Sequence, residues 1–191
     1  MERRHFLGLA GLLPLATPLL ANTRTATPSQ AEGPFYPVTP IPERTDLIEN
    51  AQAVEGEAML LKGRVVNLQG QPLAGIRVEI WQCDGKGLYD HPRQPQTKRF
   101  DPNFSGFGAV TTDAQGAYQF RTLYPVPYTG RPPHIHAKLW RGNREVLTTQ
   151  LYLRGQTETN EWFNVGREHL QIAPQRDAQN RLSASFEFTL A

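Results

Sequence analysis

The chain has 191 residues, enough for one domain with extensions. Its 20 basic residues nearly balance 18 acidic ones, leaving a net charge of +2, which excludes the electrostatic footprint of a nucleic-acid binder or of a protein held on an anionic membrane. A single cysteine, Cys83, excludes an intrachain disulfide and any cysteine-rich zinc site, and 16 glycines with 16 prolines favour a loop-rich β protein.

Residues 1–22 read as a secretory signal. Arg3 and Arg4 precede Phe6-Leu7 and an apolar run to Ala21 that is broken by Pro14 and Pro18. This is the form of a twin-arginine signal rather than of a stable membrane span. It predicts a periplasmic or extracellular protein, exported folded and therefore able to gain a cofactor beforehand. Residues 23–56 read as an extended arm, because Pro34, Pro37, Pro40 and Pro42 exclude a helix or a central strand. Within it Gly33-Pro34-Phe35-Tyr36-Pro37 is too aromatic for a free linker and predicts packing on the body. Residues 57–191 then form the folded domain.

From Ala58 onward short β runs alternate with turn chemistry. Met59 to Asn67 and Gly75 to Cys83 are strands, and in the second Ile76, Val78 and Ile80 alternate with Arg77, Glu79 and Trp81, giving one buried and one mixed face. Asp84 to Gly106 is a long loop, of the kind that usually carries function. Phe107–Thr112 and Ala117–Thr122 flank Asp113-Ala114-Gln115-Gly116, an Asp-x-x-Gly hairpin signal. A proline-rich loop, Leu123 to Pro133, leads into a strand from His134 to Trp140, and a turn at Arg141-Gly142-Asn143 leads into another from Glu145 to Leu153. Residues 160–170 predict a short helix capped by Asn160, and Arg181 to Leu190 predicts a last strand. Strands of this length and spacing predict an all-β fold, a two-sheet antiparallel β-sandwich with long active-site loops.

The chemistry concentrates around His134-Ile135-His136. On a strand both imidazoles leave one face while Ile135 anchors in the core, as Trp81 does on its own strand. Such a pair is either half of a metal site or a wet strand edge. Of the other histidines, His169 reads as a surface residue and His91 faces solvent or substrate. Two tyrosines lie in loops, Tyr128 just upstream of the pair and Tyr89 in the loop after the Trp81 strand, whereas Tyr118 alternates within a hairpin and reads as packing. Two phenolates are hard anionic oxygen donors, and with two imidazoles they suit Fe(III), whose charge two phenolates and a hydroxide would neutralise. A zinc hydrolase built on the histidines would have only Asp90 and His91 as further nearby ligands.

The segments Leu73-Ala74-Gly75, Glu79-Ile80-Trp81-Gln82, Gly87-Leu88-Tyr89, Asp101-Pro102-Asn103-Phe104, Gly116 to Thr122, Arg131-Pro132-Pro133-His134-Ile135-His136 and Gln150-Leu151-Tyr152 occur in this order. Together, from Leu61 to Gly155, they resemble the catalytic core of the intradiol ring-cleavage dioxygenases, non-haem ferric enzymes acting on catechol, protocatechuate and hydroxyquinol. The resemblance implies Tyr89, Tyr128, His134 and His136 as Fe(III) ligands, with Tyr128 the one that leaves when substrate binds. It implies Arg131 as the active-site arginine, with Gln150 and Tyr152 behind the ligands. Tyr124 is a rival for the second phenolate, and the family's proline-x-proline-tyrosine loop favours Tyr128, which follows Pro127. The partners implied are a small aromatic diol and O2, and the product is a cis,cis-muconate-type diacid. Thr27-Pro28-Ser29-Gln30, Gly33-Pro34 and Asp101 to Phe104 tilt toward protocatechuate-like substrates. Phe35, Tyr36 and Phe104 are candidates to wall an aromatic pocket. The loop between Tyr128 and Arg131 is shorter than in the well-known members, and the helical dimerisation segment of the catechol enzymes has no counterpart, so a homo-oligomer stays open. A non-catalytic sandwich module, transthyretin-like or carbohydrate-binding, accounts for the strands but not for this ligand set.

Overall fold

A computed structural model of the chain describes residues 24–95, 98–128, 130–156 and 167–191. The expected signal at 1–22 and the helix cap at Asn160 lie outside them. Nine strands are present among these residues: β1 Ala58–Asn67, β2 Ile76–Trp81, β3 Phe107–Thr111, β4 Ala117–Leu123, β5 His134–Arg141, β6 Arg144–Leu153, β7 Gln171–Ile172, β8 Gln175–Arg176 and β9 Leu182–Leu190. Arg167–Leu170 is a single 3-10 turn. None of the described helices is long and apolar enough to cross a membrane.

The strands form two sheets, ordered β4-β1-β9-β8 and β3-β2-β5-β6-β7. Their inner faces meet in one core, where Leu61, Val65, Phe120 and Phe188 of the first sheet face Val78, Ile80, Ile135 and Leu151 of the second. The architecture is the expected all-β sandwich, with a difference in pairing. Most neighbours are antiparallel, but β1 lies parallel to β9 and β6 parallel to β7. Local hairpins fix antiparallel pairs, whereas β9 reaches β1 only after the chain has passed through the other sheet, so it returns in the same direction. Phe104, a candidate pocket wall, instead belongs to this central core.

Four five-residue turns obey one rule. At Asn67–Gln71, Asp84–Leu88, Asp113–Ala117 and Asp177–Arg181 the first residue's N–H donates to the fifth residue's carbonyl, and the fourth residue's N–H returns to the first carbonyl. The fourth residue is Gly70, Gly87, Gly116 or Asn180, each with φ between +61° and +78°. The side-chain Oδ1 of the first residue accepts the N–H groups of the third and fifth. A left-handed fourth residue and an Asx acceptor are what such turns need.

The described part of the arm is bonded to the body at several points. Arg24 and Thr27 bond to Leu68 and Thr189, Gln30 to Thr148, and Thr149 Oγ1 to the Pro28 carbonyl. Further on, Glu43 pairs with Ala109 of β3 and Asp46 with Arg121 of β4, so one segment covers an edge of each sheet. Covered edges cannot recruit other strands.

Gly63 of β1 sits where the Tyr118 hydroxyl donates to the Phe186 carbonyl, and an added Cβ would lie 1.7 Å from that oxygen. Gly63→Ala is expected to destabilise by about 3 kcal/mol or more. Gly142→Ala, with nothing within 4 Å, costs only its left-handed backbone, about 1 kcal/mol. Urea unfolding of the two variants measures the difference, and equal losses would contradict this packing.

Candidate metal centre

Strand parity places the site. On β5 the side chains of Ile135, Ala137 and Leu139 enter the core, while His134, His136 and Lys138 leave on the opposite, outer face. Cross-strand register extends this outer face into rows, with Trp81 and Gln150 flanking His136 and Tyr152 facing His134. The outer face is dry because the arm and the long loop cover it. His134 and His136 are each about 1% exposed, so the wet-edge reading of the pair does not hold.

The two Nε2 atoms stand 3.0 Å apart. At that separation both nitrogens could reach one first-row metal ion at about 2.1 Å from each. Nδ1 of His134 faces the Pro132 carbonyl at 2.7 Å, which places its proton there and leaves the Nε2 lone pair directed at the partner ring. Burial pushes His134 down to about 4. Burial, and then the neighbouring His134 and Arg131, push His136 well below the usual histidine value. Both imidazoles are therefore neutral donors at neutral pH. Trp81 is buried as expected, but in a second cluster around the site, where its ring stacks on His136 at 4.6 Å and 7°.

Tyr89 and Tyr128 both join this cluster. Their rings meet edge to face at 5.4 Å, and Tyr128 lies 5.5 Å from His134. Tyr124 does not: it packs on the central core, and its hydroxyl accepts from Gln156 Nε2. The two phenols differ. Tyr89 is 3% exposed with its Oη unpaired, whereas Tyr128 is half-buried on the turn it closes with Arg131. Burial raises the phenol of Tyr89 far above the ordinary tyrosine value, with Cys83 and Tyr128 adding to it, and burial raises Tyr128 as well. A stranded buried hydroxyl costs about 1–3 kcal/mol, and a cation between the rings would relieve it and favour the phenolates. Among the described residues no three His, Cys, Asp or Glu side chains come together, and the oxygen donors beside the histidine pair are these two phenols. His91 and Asp90 give a zinc hydrolase no third ligand. His91 instead accepts the Arg93 N–H on Nδ1 and meets Phe35 edge to face, and Asp90 is exposed. His169 is exposed, as expected.

Behind the candidate ligands stands a hydrogen-bonded brace. Gln150 Oε1 accepts from Arg131 Nη2 at 2.6 Å and from Tyr152 Oη at 2.8 Å, while its Nε2 donates to the Ala31 carbonyl at 2.7 Å. The Arg167 guanidinium lies 4.5 Å over the Tyr152 ring. Phe35 stacks on Tyr89 at 4.6 Å and Tyr36 packs edge-on to Trp81. The arm is held there by buried charge. Lys138 pairs with Glu32 and Glu145 beneath the Tyr36 ring, and Glu79 accepts from Tyr36, Trp140 and Arg77. Burial and the bonded Glu79 carboxylate raise the Tyr36 phenol. Burial pushes the Cys83 thiol up to about 12, keeping it an inert neighbour. Lys138, Glu79 and Asp84 were not among the residues singled out from sequence. Lys138 continues the parity of the histidines, and Asp84-Gly85-Lys86-Gly87 repeats the Asp-x-x-Gly signal of the hairpin at Asp113.

Known proteins share this arrangement of strands. The family model described as Dioxygenase matches residues 31–190. The protocatechuate 3,4-dioxygenase beta chain of Burkholderia cepacia is 34% identical over 158 residues, covering 66% of this chain and 66% of that protein. The catechol 1,2-dioxygenase of Candida albicans is 32% identical over 146 residues, covering 66% of this chain and 46% of that protein. The chain thus spans between about half and two thirds of the length of these relatives. Among solved structures, the dioxygenase domain of a dioxygenase–carbohydrate-binding protein fusion from Streptomyces sp. SirexAA-E superposes with a TM-score of 0.71 at 32% identity, covering 87% of this chain and 98% of that one. An intradiol ring-cleavage dioxygenase from Tetranychus urticae superposes with a TM-score of 0.69 at 23% identity, covering 87% and 95%, a likeness of fold. With nearly the whole folded part matched by one family model, the chain belongs to the intradiol ring-cleavage dioxygenase family.

Proposed function

We propose that this chain is an Fe(III)-dependent enzyme that opens a catechol-type ring between its two hydroxyl-bearing carbons, adding both atoms of O2 to give a cis,cis-muconate-type diacid. The observation that carries this reading is the convergence of two facing Nε2 atoms and two loop phenols on one buried face. Tyr89, Tyr128, His134 and His136 would hold the ion. Held there, Fe(III) would supply a Lewis acid for the diol oxygens and make the ring reactive toward O2.

The protein residues divide the remaining work. Tyr128, on a turn open to solvent, is the phenol able to swing aside for the diol, and its Oη is the base that receives a diol proton. Tyr89, buried and stacked on Phe35, stays in place. Arg131 places its charge beside the site, where it offsets part of the burial that raises both phenols and stabilises negative charge that develops on the reacting oxygens. Gln150 fixes the guanidinium by its 2.6 Å bond. The aromatic wall of Phe35, Tyr36 and Trp81 keeps water from the ring. The likeness to the Burkholderia protocatechuate enzyme chain supports a tilt toward protocatechuate-like diols. The paired Arg3-Arg4 leader supports action in the periplasm or outside the cell.

The ferric protein is expected to be red-brown from phenolate-to-iron charge transfer, and Tyr89→Phe to lose most of that absorption; a colourless protein carrying zinc would refute the reading. Elemental analysis should find iron reduced about tenfold or more in His134→Ala or His136→Ala, and wild-type iron content would place the site elsewhere. Arg131→Gln should keep its iron and lose about 10²-fold in kcat, read by oxygen uptake over a panel of catechols. Uptake unchanged by the substitution would remove Arg131 from the chemistry.

A further inference from the structure

The turn Asp84–Leu88 differs from its three counterparts. At Asn67, Asp113 and Asp177 the leading side chain spans its own turn from a half-buried or exposed position. Asn67 does so with an amide, so one oxygen is enough to build the turn. Asp84 is 1% exposed, and unlike Asp177, whose Oδ2 accepts from Arg181 Nε of the same turn, it turns its second oxygen outward. Its Oδ1 accepts from Lys86 N and Leu88 N, each at 2.9 Å, as the rule requires. Its Oδ2 accepts from Asp101 N at 2.9 Å, on the far limb of the long loop. The second oxygen therefore ties the turn to something outside itself. A carboxylate accepts at both ends, whereas an amide would present a donor to one of these N–H groups.

What the turn touches explains the tie. It ends at Leu88, so its shape sets where the backbone of Tyr89 begins. Its fourth residue, Gly87, has φ +78°, and a Cβ there would lie 3.0 Å from the Pro127 carbonyl and 3.4 Å from Cβ of Tyr128. On the other side a Cβ at Gly85 would lie 2.1 Å from the Glu55 carbonyl. The turn is thus wedged between residue 55 and the backbone of Tyr128, with Tyr89 leaving its end. One five-residue unit bears on both phenols.

We propose that Asp84 is a positioning residue, whose second oxygen, bonded to Asp101 N–H, locks the 84–88 turn and so fixes the Tyr89 and Tyr128 phenols relative to each other for joint metal binding. This rests on the ferric reading above. Asp84 touches neither substrate nor metal and acts only through the two tyrosines.

The test loads the full chain with Fe(III) and compares wild type, Asp84→Asn, Gly87→Ala and Asp113→Asn. Asp113→Asn makes the same chemical change in an equivalent turn remote from the site, and its visible spectrum and iron retention should match wild type. Asp84→Asn should keep the far-UV circular dichroism of wild type, since Asn67 shows that an amide builds this turn. Its charge-transfer maximum and tyrosinate resonance Raman bands should shift, and a chelator should remove its iron about tenfold faster or more. Gly87→Ala should move the same bands by pressing on Tyr128, and carries the test alone if Asp84→Asn fails to fold. A wild-type spectrum and wild-type iron release in Asp84→Asn or in folded Gly87→Ala would overturn the proposal, even with lowered thermal stability. A wild type that binds no iron and shows no such band would instead overturn the ferric reading, and this inference with it.

Discussion

Everything at the site follows from the two-residue period of β5. Alternation sends Ile135, Ala137 and Leu139 into the sandwich and His134, His136 and Lys138 to its outer face. A slip of one residue would exchange the two sets and place two imidazoles and an ammonium in the hydrocarbon core, so the register is strongly fixed. The outer face is then polar and must be dried if it is to hold a buried centre. That need explains the arm. Its polar groups meet the face one for one, with Glu32 on Lys138, Tyr36 on Glu79 and the Ala31 carbonyl on Gln150. Buried charges are tolerated only when paired in this way.

The two phenols sit under unlike constraints. Tyr89 is enclosed by Phe35, Cys83 and the histidine side of the sheet, and its loop is pinned at Gln82, Asp84 and Asp101. Tyr128 is carried by a short turn with an exposed Gly130 beside it. A fully buried phenol next to a half-buried one is the asymmetry that the proposed site would need if one ligand is to be permanent and the other exchangeable. The same asymmetry appears in their surroundings, since Arg131 bonds back to Tyr128 through the backbone while its side chain is held by Gln150 on the rigid sheet.

Where sequence patterns are local, they read through to the structure. Local patterning located β1 to β6 and β9, because each pattern is completed within its own few residues. It also identified the histidine pair, whose common face is a consequence of strand geometry alone. Pairing direction was not legible: β9 lies parallel to β1 because of the route the chain takes through the other sheet, which no single segment encodes. Phe104 was a plausible pocket residue by composition, yet it bonds by shape to the central core through Ile48 and Phe100. The long loop hid a second Asp-x-x-Gly turn because no strand follows it to complete a hairpin.

By itself the sequence determined the sandwich, the covering arm and the donor types available for a metal. Side-chain period and residue chemistry act over a few positions, so they survive without knowledge of the fold. Only the tertiary structure decided which donors meet. Tyr124 and Tyr128 share one proline-rich loop, and what separates them is that the first falls against the core and the second against His134. Likewise Phe35 lies 54 residues from Tyr89 in the chain yet stacks on it at 4.6 Å. Contacts between distant segments depend on sheet register and on where loops cross, and these are settled by packing of the whole domain rather than by any local pattern.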